Sequence, residues 1–379
     1  MLKTLDVIDT NGKRVLVRVD FNVPIDEQGN ITDDFRIRGA IPTINHLLEN
    51  DAKQIVLMSH LDPWKETPAE TKDPRLKMDK VAARLQELIK RPVTKVDDCV
   101  DITLPRTAII MLENLRFHPE EMAERELQSI FAQKLAQHGD VYVNDAFGTC
   151  HRAHASVSAV PDYMDVKAAG LLVQKEIEML MPLLKGPEQP FYAILGGTKV
   201  RDKIKVIDSL ASQAAKILIG GRMALAFANA IYIDEAERNT AQSLLQKYRT
   251  KLVLPVDYVL ENHETVDAQR LPPHLKAYDL GSKTLGVWRE LLDDAATIVW
   301  NGPVGKFEEQ PFDAATNALA AYLAASNATT IIGGGDTASA VRKGGYDRYM
   351  DHVSTGGGAS LEFLEGKQLP GLKALGLYD

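Results

Sequence analysis

What most restricts this chain is the alternation of short, continuous apolar runs with helical patterns. The first half carries the runs Arg14–Val19, Gln54–Met58, Ala108–Leu112 and Asp140–Val143. The second half carries Phe191–Leu195, Lys216–Ile219, Lys251–Pro255, Thr297–Trp300 and Thr329–Ile332. A strand with one wet face alternates apolar and polar residues, whereas a parallel strand covered on both faces is apolar throughout. Helical patterns fall between the runs, over Ile37–Leu48, Asp79–Ile89, Glu126–Gln137, Asp202–Ala215, Ala236–Tyr248 and Ala314–Ala325. The alternation predicts an α/β fold of doubly wound parallel, Rossmann-like sheets. At 379 residues the chain exceeds what one core usually supports, so two domains are expected. The stretch Lys167–Leu184 reads as an amphipathic helix, and Lys185–Pro190 as a loop after it. This divides the chain into residues 1–166, a joining helix over 167–185, and residues 186–366.

Composition excludes several classes of function. A formal net charge of −8 argues against a general nucleic-acid binder. No run of about 18 apolar residues occurs, so no membrane span is expected. The N-terminus lacks a signal-peptide pattern, and the two cysteines, Cys99 and Cys150, form no metal or disulfide spacing. These features suit a cytoplasmic protein with small-molecule partners.

In such folds ligands gather at the carboxyl ends of the strands. In the second half those ends are rich in glycine, at Gly196-Gly197, Gly220-Gly221, Gly302, Gly333-Gly334-Gly335 and Gly356-Gly357-Gly358. Glycines there let backbone N–H groups approach an anion, and a helix N-terminus adds partial positive charge. After Gly335 come Asp336 and Thr337, where a helix to about Lys343 begins. Asp336 suits either an ordinary N-cap or a Mg²⁺ ligand beside a phosphate. Lys199 and Lys203 follow the first glycine pair at i and i+4, which on an opening helix would face one side. Repetition of the pattern favours a phosphate or nucleotide site. No Walker A motif and no strand-linked GxGxxG occurs.

In the first half the strand ends deliver Asp20, Asn22, His60, Arg116, His151 and Arg152, with Arg36 at the start of the first helix. Arginine forks suit a small anion carrying carboxylate and phosphate. His151 and His154 are three apart, but no third metal ligand lies near them in sequence.

Longer motifs then carry a resemblance. The chain reads RVDFNVP from Arg18, ENLRFH from Glu113, VNDAFGTCHRAHAS from Val143, GGTKVRDKI from Gly196, and LPVD from Leu254. It continues VWNGPVGKFE from Val299, GGGDTA from Gly333 and STGGGASLEFLEG from Ser354. Over nearly its whole length it resembles the phosphoglycerate kinase family. The resemblance implies phosphoryl exchange between 1,3-bisphosphoglycerate and ADP, giving 3-phosphoglycerate and ATP in glycolysis, by a monomer. It implies an N-terminal domain for phosphoglycerate, joined by the C-terminal tail at about Lys367–Asp379, a C-terminal domain for Mg-nucleotide, and hinge closure around Lys167–Leu184.

By that resemblance Asp20, Asn22, Arg36, His60, Arg116 and Arg152 hold phosphoglycerate. Gly197, Lys199, Lys203, Gly221, Asn301, Pro303, Glu308, Gly333, Gly334, Gly335, Asp336 and Thr337 hold the nucleotide, with Glu308 near the ribose and Asp336 on Mg²⁺. Arg36, Lys199, Gly334 and Gly357 assist the transferring phosphoryl group.

The chain departs from the family where SHLGRP is usual. Here it reads Ser59-His60-Leu61-Asp62-Pro63-Trp64. A substrate-binding arginine is lost and an acid enters, which predicts weaker phosphoglycerate binding, with Lys65 as a partial substitute. Arg222 replaces a frequent glycine, and Ser282 the proline of DIGPKT. The altered loop also motivates an alternative, a catalytically weakened nucleotide-binding relative; a carboxylate kinase with another acceptor is a third reading.

Overall fold

The computed structural model describes residues 2–62 and 72–378. The departures at Pro63, Trp64 and Lys65 lie outside the described residues. The chain divides into two compact units, Met1–Ile177 with Gln368–Asp379, and Glu178–Lys367.

The first unit contains strands β1 (Arg14–Val19), β2 (Gln54–Met58), β3 (Thr94–Lys95), β4 (Ile109–Met111), β5 (Val141–Asp145) and β6 (Lys167–Ala169). Its helices are α1 (Phe35–Glu49), α2 (Asp79–Ile89) and α3 (Arg125–Ala136), and α4 (Leu171–Lys185) runs across the division. The strands form one parallel sheet in the order β3-β4-β2-β1-β5-β6. Every residue of β2 and β5 is buried, the polar Gln54, Asn144 and Asp145 at their ends included, as expected of strands covered on both faces.

The second unit holds β7 (Phe191–Leu195), β8 (Lys216–Ile219), β9 (Leu252–Val253), β10 (Asp257–Leu260), β11 (Thr265–Asp267), β12 (Ala277–Leu280), β13 (Thr297–Asn301), β14 (Thr329–Gly333) and β15 (His352–Val353). Helices α5 (Ile204–Leu210), α6 (Met223–Phe227), α7 (Glu235–Lys247), α8 (Ser282–Leu292), α9 (Ala314–Ala324), α10 (Gly335–Lys343) and α11 (Gly358–Leu364) accompany them. A parallel sheet runs β15-β14-β13-β7-β8-β9, and an antiparallel one β11-β10-β12. A last helix, α12 (Pro370–Ala374), belongs to the first unit.

Three sequence expectations need correction. Lys167–Ala169 is not helical: it is β6, paired with β5, and the helix begins only after Gly170. The AAG step satisfies its backbone groups in the sheet, an option no period in the sequence reveals. The helix expected over Asp202–Ala215 is a 3₁₀ turn at Val200–Asp202 followed by the short α5. The strand expected over Lys251–Pro255 is cut to β9, since Pro255 has no N–H to give a ladder. The antiparallel sheet was not anticipated, its strands being short and rich in polar residues.

One device recurs where strands hand over to helices. A buried aspartate accepts backbone N–H groups from the first turn of a helix, and a glycine packs against the carboxylate. Asp145 accepts from Leu172 N at 2.9 Å at the start of α4. Asp257 accepts from Lys283 N and Thr284 N at α8, and Asp279 from Ala315 N at α9. A Cβ on Gly170 would stand 2.2 Å from Asp145 Oδ1, closer than real contacts allow. Gly170→Ala is therefore expected to destabilise the first unit by roughly 2–3 kcal/mol, read as a lower thermal midpoint and earlier proteolysis.

Candidate functional site

In the first unit β1 ends in Asp20 and Asn22, and α1 brings Arg36 back towards them. Arg36 Nη1 donates to Asp20 Oδ2 at 2.9 Å and to Asn22 O at 3.3 Å. The β2 end supplies His60, which is buried, and the segment after β4 supplies Arg116. Arg116 Nη1 donates to Asp62 Oδ2 at 2.7 Å, and Asp62 N donates to Asn22 Oδ1 at 2.8 Å. Arg152 is exposed on the segment following β5.

Beneath these groups lies a residue the motif reading did not single out. Arg18 is fully buried in β1. Its Nε donates to Ser156 Oγ at 2.8 Å and its Nη2 to His60 Nδ1 at 3.1 Å. Ser156 Oγ in turn donates to Glu121 Oε1 at 2.6 Å. A signal existed: an arginine inside RVLVRV, an otherwise apolar run, has to be buried with partners. Because arginine only donates, His60 Nδ1 accepts and the ring carries its proton on Nε2. Burial, then the charges of Arg18 and Arg116, keep His60 neutral far below the usual histidine range. Burial and the same arginines push His154 down to about 3. His60 thus adds a directed neutral donor, while the arginines carry the positive charge.

In the second unit the ends of β7, β13 and β14 surround a cleft of about 1080 Å³. Its lining includes Gly197, Lys199, Lys203, Gly221, Asn301, Pro303, Glu308, Gly334, Gly335, Asp336, Thr337 and Gly357. Gly333 closes β14 beneath them, with a would-be Cβ 2.9 Å from Asn301 Nδ2. The floor is backbone against backbone: a Cβ on Gly302 would meet Gly196 O at 2.3 Å, and one on Gly196 would meet Pro303 O at 2.2 Å. Thr337 Oγ1 accepts from Gly302 N at 2.7 Å, fastening α10 to the same loop.

Gly334 is the residue before α10, at φ +87°, and no side chain caps the helix. Asp336 sits inside the first turn instead, so the N-cap reading is set aside, and its carboxylate is exposed at the cleft. Among the described residues, nothing beyond the neighbouring backbone lies within 4 Å of a Cβ built on Gly335 or Gly357, so these glycines face open space rather than packing.

Lys199 and Lys203 do not share a helix face. Lys199 has extended backbone before the 3₁₀ turn and is exposed, whereas Lys203 follows that turn and is buried. The glycine pair lets the chain leave β7 extended, and burial of Val200 then turns it. Lys203 Nζ donates to Asn301 Oδ1, while Asn301 Nδ2 is buried without a hydrogen-bond partner among the described residues. Burial lowers the Lys203 pKa to about 8, opposed by the charges of Asp202, Asp336 and Glu365. A desolvated ammonium beside an orphaned amide donor, at the mouth of a glycine cradle, suits an anionic ligand. Arg222 and Glu308 also line the cleft, and Arg222 Nη1 donates to Thr198 O at 3.3 Å. Ser282 opens α8 under the Asp257 cap.

Parallel sheets whose strand ends present arginines in one unit and glycines, lysines and an acid in the other define a phosphate-handling α/β protein. The comparisons make that class specific. The family model described as "Phosphoglycerate kinase" matches residues 5–367. A phosphoglycerate kinase of Anaeromyxobacter sp. (strain K) is 45% identical, covering 98% of this chain and 99% of its own. One from Pelotomaculum thermopropionicum is 46% identical over 98% of each chain. The solved phosphoglycerate kinase of Coxiella burnetii superposes with a TM-score of 0.85 at 32% identity, covering 100% of this chain and 99% of that one. The chain belongs to the phosphoglycerate kinase family and is a phosphotransferase. No helix among the described residues is long and apolar enough to cross a membrane.

Proposed function

We propose that this enzyme transfers a phosphoryl group reversibly between 1,3-bisphosphoglycerate and ADP, yielding 3-phosphoglycerate and ATP. The observation that carries this reading is the buried, desolvated Lys203 beside the unpartnered Asn301 amide in the glycine cleft. Asp20, Asn22, Arg36, His60, Arg116 and Arg152 hold phosphoglycerate, with His60 donating from Nε2. Gly197, Gly221, Pro303 and Glu308 line the nucleotide's path, while Gly333–Thr337 and Asn301 take its phosphates. Lys203 binds phosphate oxygens, and Lys199, Arg36, Gly334 and Gly357 stabilise the transferring group. Little covalent help is needed: an anhydride oxygen is displaced in line, and the protein contributes position and neutralisation of charge.

Magnesium fits the donor set. It takes oxygen ligands, keeps waters, and is commonly held through one or two carboxylates together with substrate phosphates. Asp336 offers such a carboxylate beside open glycines. Mg²⁺ held there would neutralise charge on the nucleotide phosphates.

The test is ADP release from ATP, Mg²⁺ and 3-phosphoglycerate by the purified protein, with Asp336→Ala as control. Turnover that requires 3-phosphoglycerate and falls at least about 100-fold in the control is expected. Nucleotide binding without turnover would instead favour the weakened, binding-only relative that the altered loop at Asp62 motivates. Turnover with another carboxylate but not 3-phosphoglycerate would favour a changed acceptor.

A further inference from the structure

We propose that Asp62 is a built-in competitor for the anion site of the first unit, holding Arg116 in the place of the acidic substrate and thereby setting a weak affinity for phosphoglycerate. This rests on the reading of that site given above.

The Asp62 carboxylate contacts Arg116 Nη1 at 2.7 Å, with only 8% of the aspartate side chain and 13% of the arginine side chain exposed. The same residue engages a second proposed substrate group, since its backbone N–H donates to Asn22 Oδ1. The chain leading to it is clamped: buried Asn114 accepts from Leu61 N at 3.1 Å and donates to Leu61 O at 2.7 Å. Asp62 is thus delivered to Arg116 by fixed backbone. The pairing leaves capacity, because Arg116 Nε is buried with no hydrogen-bond partner among the described residues. An incoming carboxylate or phosphate can complete this arginine only by sharing it with Asp62 or displacing it. Either route sets one anion against another in a shielded place, where like charges repel strongly. Asp62 therefore opposes ligand binding while stabilising the empty site by neutralising a buried cation.

The experiment is calorimetric titration of 3-phosphoglycerate, without nucleotide, into wild type, Asp62→Asn and Asp62→Ser, paired with steady-state kinetics and thermal melts. The expected result is a Kd for 3-phosphoglycerate five- to twentyfold lower in the variants. Their KM for 3-phosphoglycerate should fall in parallel, with the KM for ATP as internal reference. The ligand-free variants should melt lower, yet gain more from added 3-phosphoglycerate than wild type. A purely structural Asp62 would lower melting while leaving the Kd equal or weaker, and that result in either folded variant overturns the proposal. An active wild type with unchanged variant affinity defeats this inference alone; absence of both turnover and 3-phosphoglycerate binding in every form defeats it together with the proposed function.

Discussion

Replacing Lys203 with methionine is expected to lower kcat/KM for the nucleotide by roughly 10²–10³-fold, since a desolvated ammonium on phosphate gives a charge-assisted contact of about 3–4 kcal/mol. Methionine keeps the length and apolar stem, so the cleft retains its packing. The same change should raise the stability of the free protein. Lys203 has a folded pKa of about 8, below its ordinary 10.5. Between those values the unfolded chain binds more protons, so stability climbs as pH rises from about 8 to 10.5. Below pH 8 the charged group opposes folding by a penalty on the order of 3 kcal/mol. Asn301 Oδ1 loses its donor in the variant, which returns about 1–2 kcal/mol of that gain. Wild-type nucleotide binding should take up protons above pH 8, and its affinity should weaken as pH rises through that value. Titrations in buffers of different ionisation enthalpy read the uptake directly. A variant that binds nucleotide normally with no pH dependence would remove Lys203 from the site.

Replacing Arg36 with alanine is expected to reduce kcat/KM for 3-phosphoglycerate by about 10³-fold, in the range found when a cation on a transferring phosphoryl group is removed. Arg36 is half-buried at the start of α1 and aimed by Asp20 and the Asn22 carbonyl. Arg36→Lys should recover little, because Asp20 and the Asn22 carbonyl both engage Nη1, leaving the rest of the planar guanidinium to face the substrate, and an ammonium has no such second edge. Most of the loss should fall on kcat if Arg36 meets charge that develops during transfer, and on KM if it only anchors ground-state substrate. Steady-state kinetics with 3-phosphoglycerate as the varied substrate separate the two. A loss confined below about tenfold would remove Arg36 from the transfer step.

Much of this was legible before any coordinate. The runs that became β1, β2, β7 and β8 keep their sequence bounds, because each buried apolar stretch stops at a polar residue or a glycine, at Asp20, Ser59, Gly196 and Gly220. The glycines after β7, β13 and β14 marked one end of a sheet: at Gly196 and Gly302 backbone placed against backbone tolerates no Cβ, whereas Gly335 after β14 faces the open cleft. The candidate residues Asp20, Asn22 and Arg36 came from strand-end logic, and they are hydrogen-bonded neighbours in the first unit.

What the amino-acid sequence determined by itself was local and periodic: which stretches are apolar throughout, where glycine interrupts them, and which charged residues follow. What only tertiary structure decided was pairing across distance. The charge on Asp62 is visible in the string of residues, but its partner lies 54 positions away and depends on how Leu61 is clamped by Asn114. Lys199 and Lys203 carry one charge each in the sequence. Yet burial makes one a desolvated group with a lowered pKa and leaves the other in water. Solvation is a property of the surroundings, and the packing that creates them is written across residues remote in the chain.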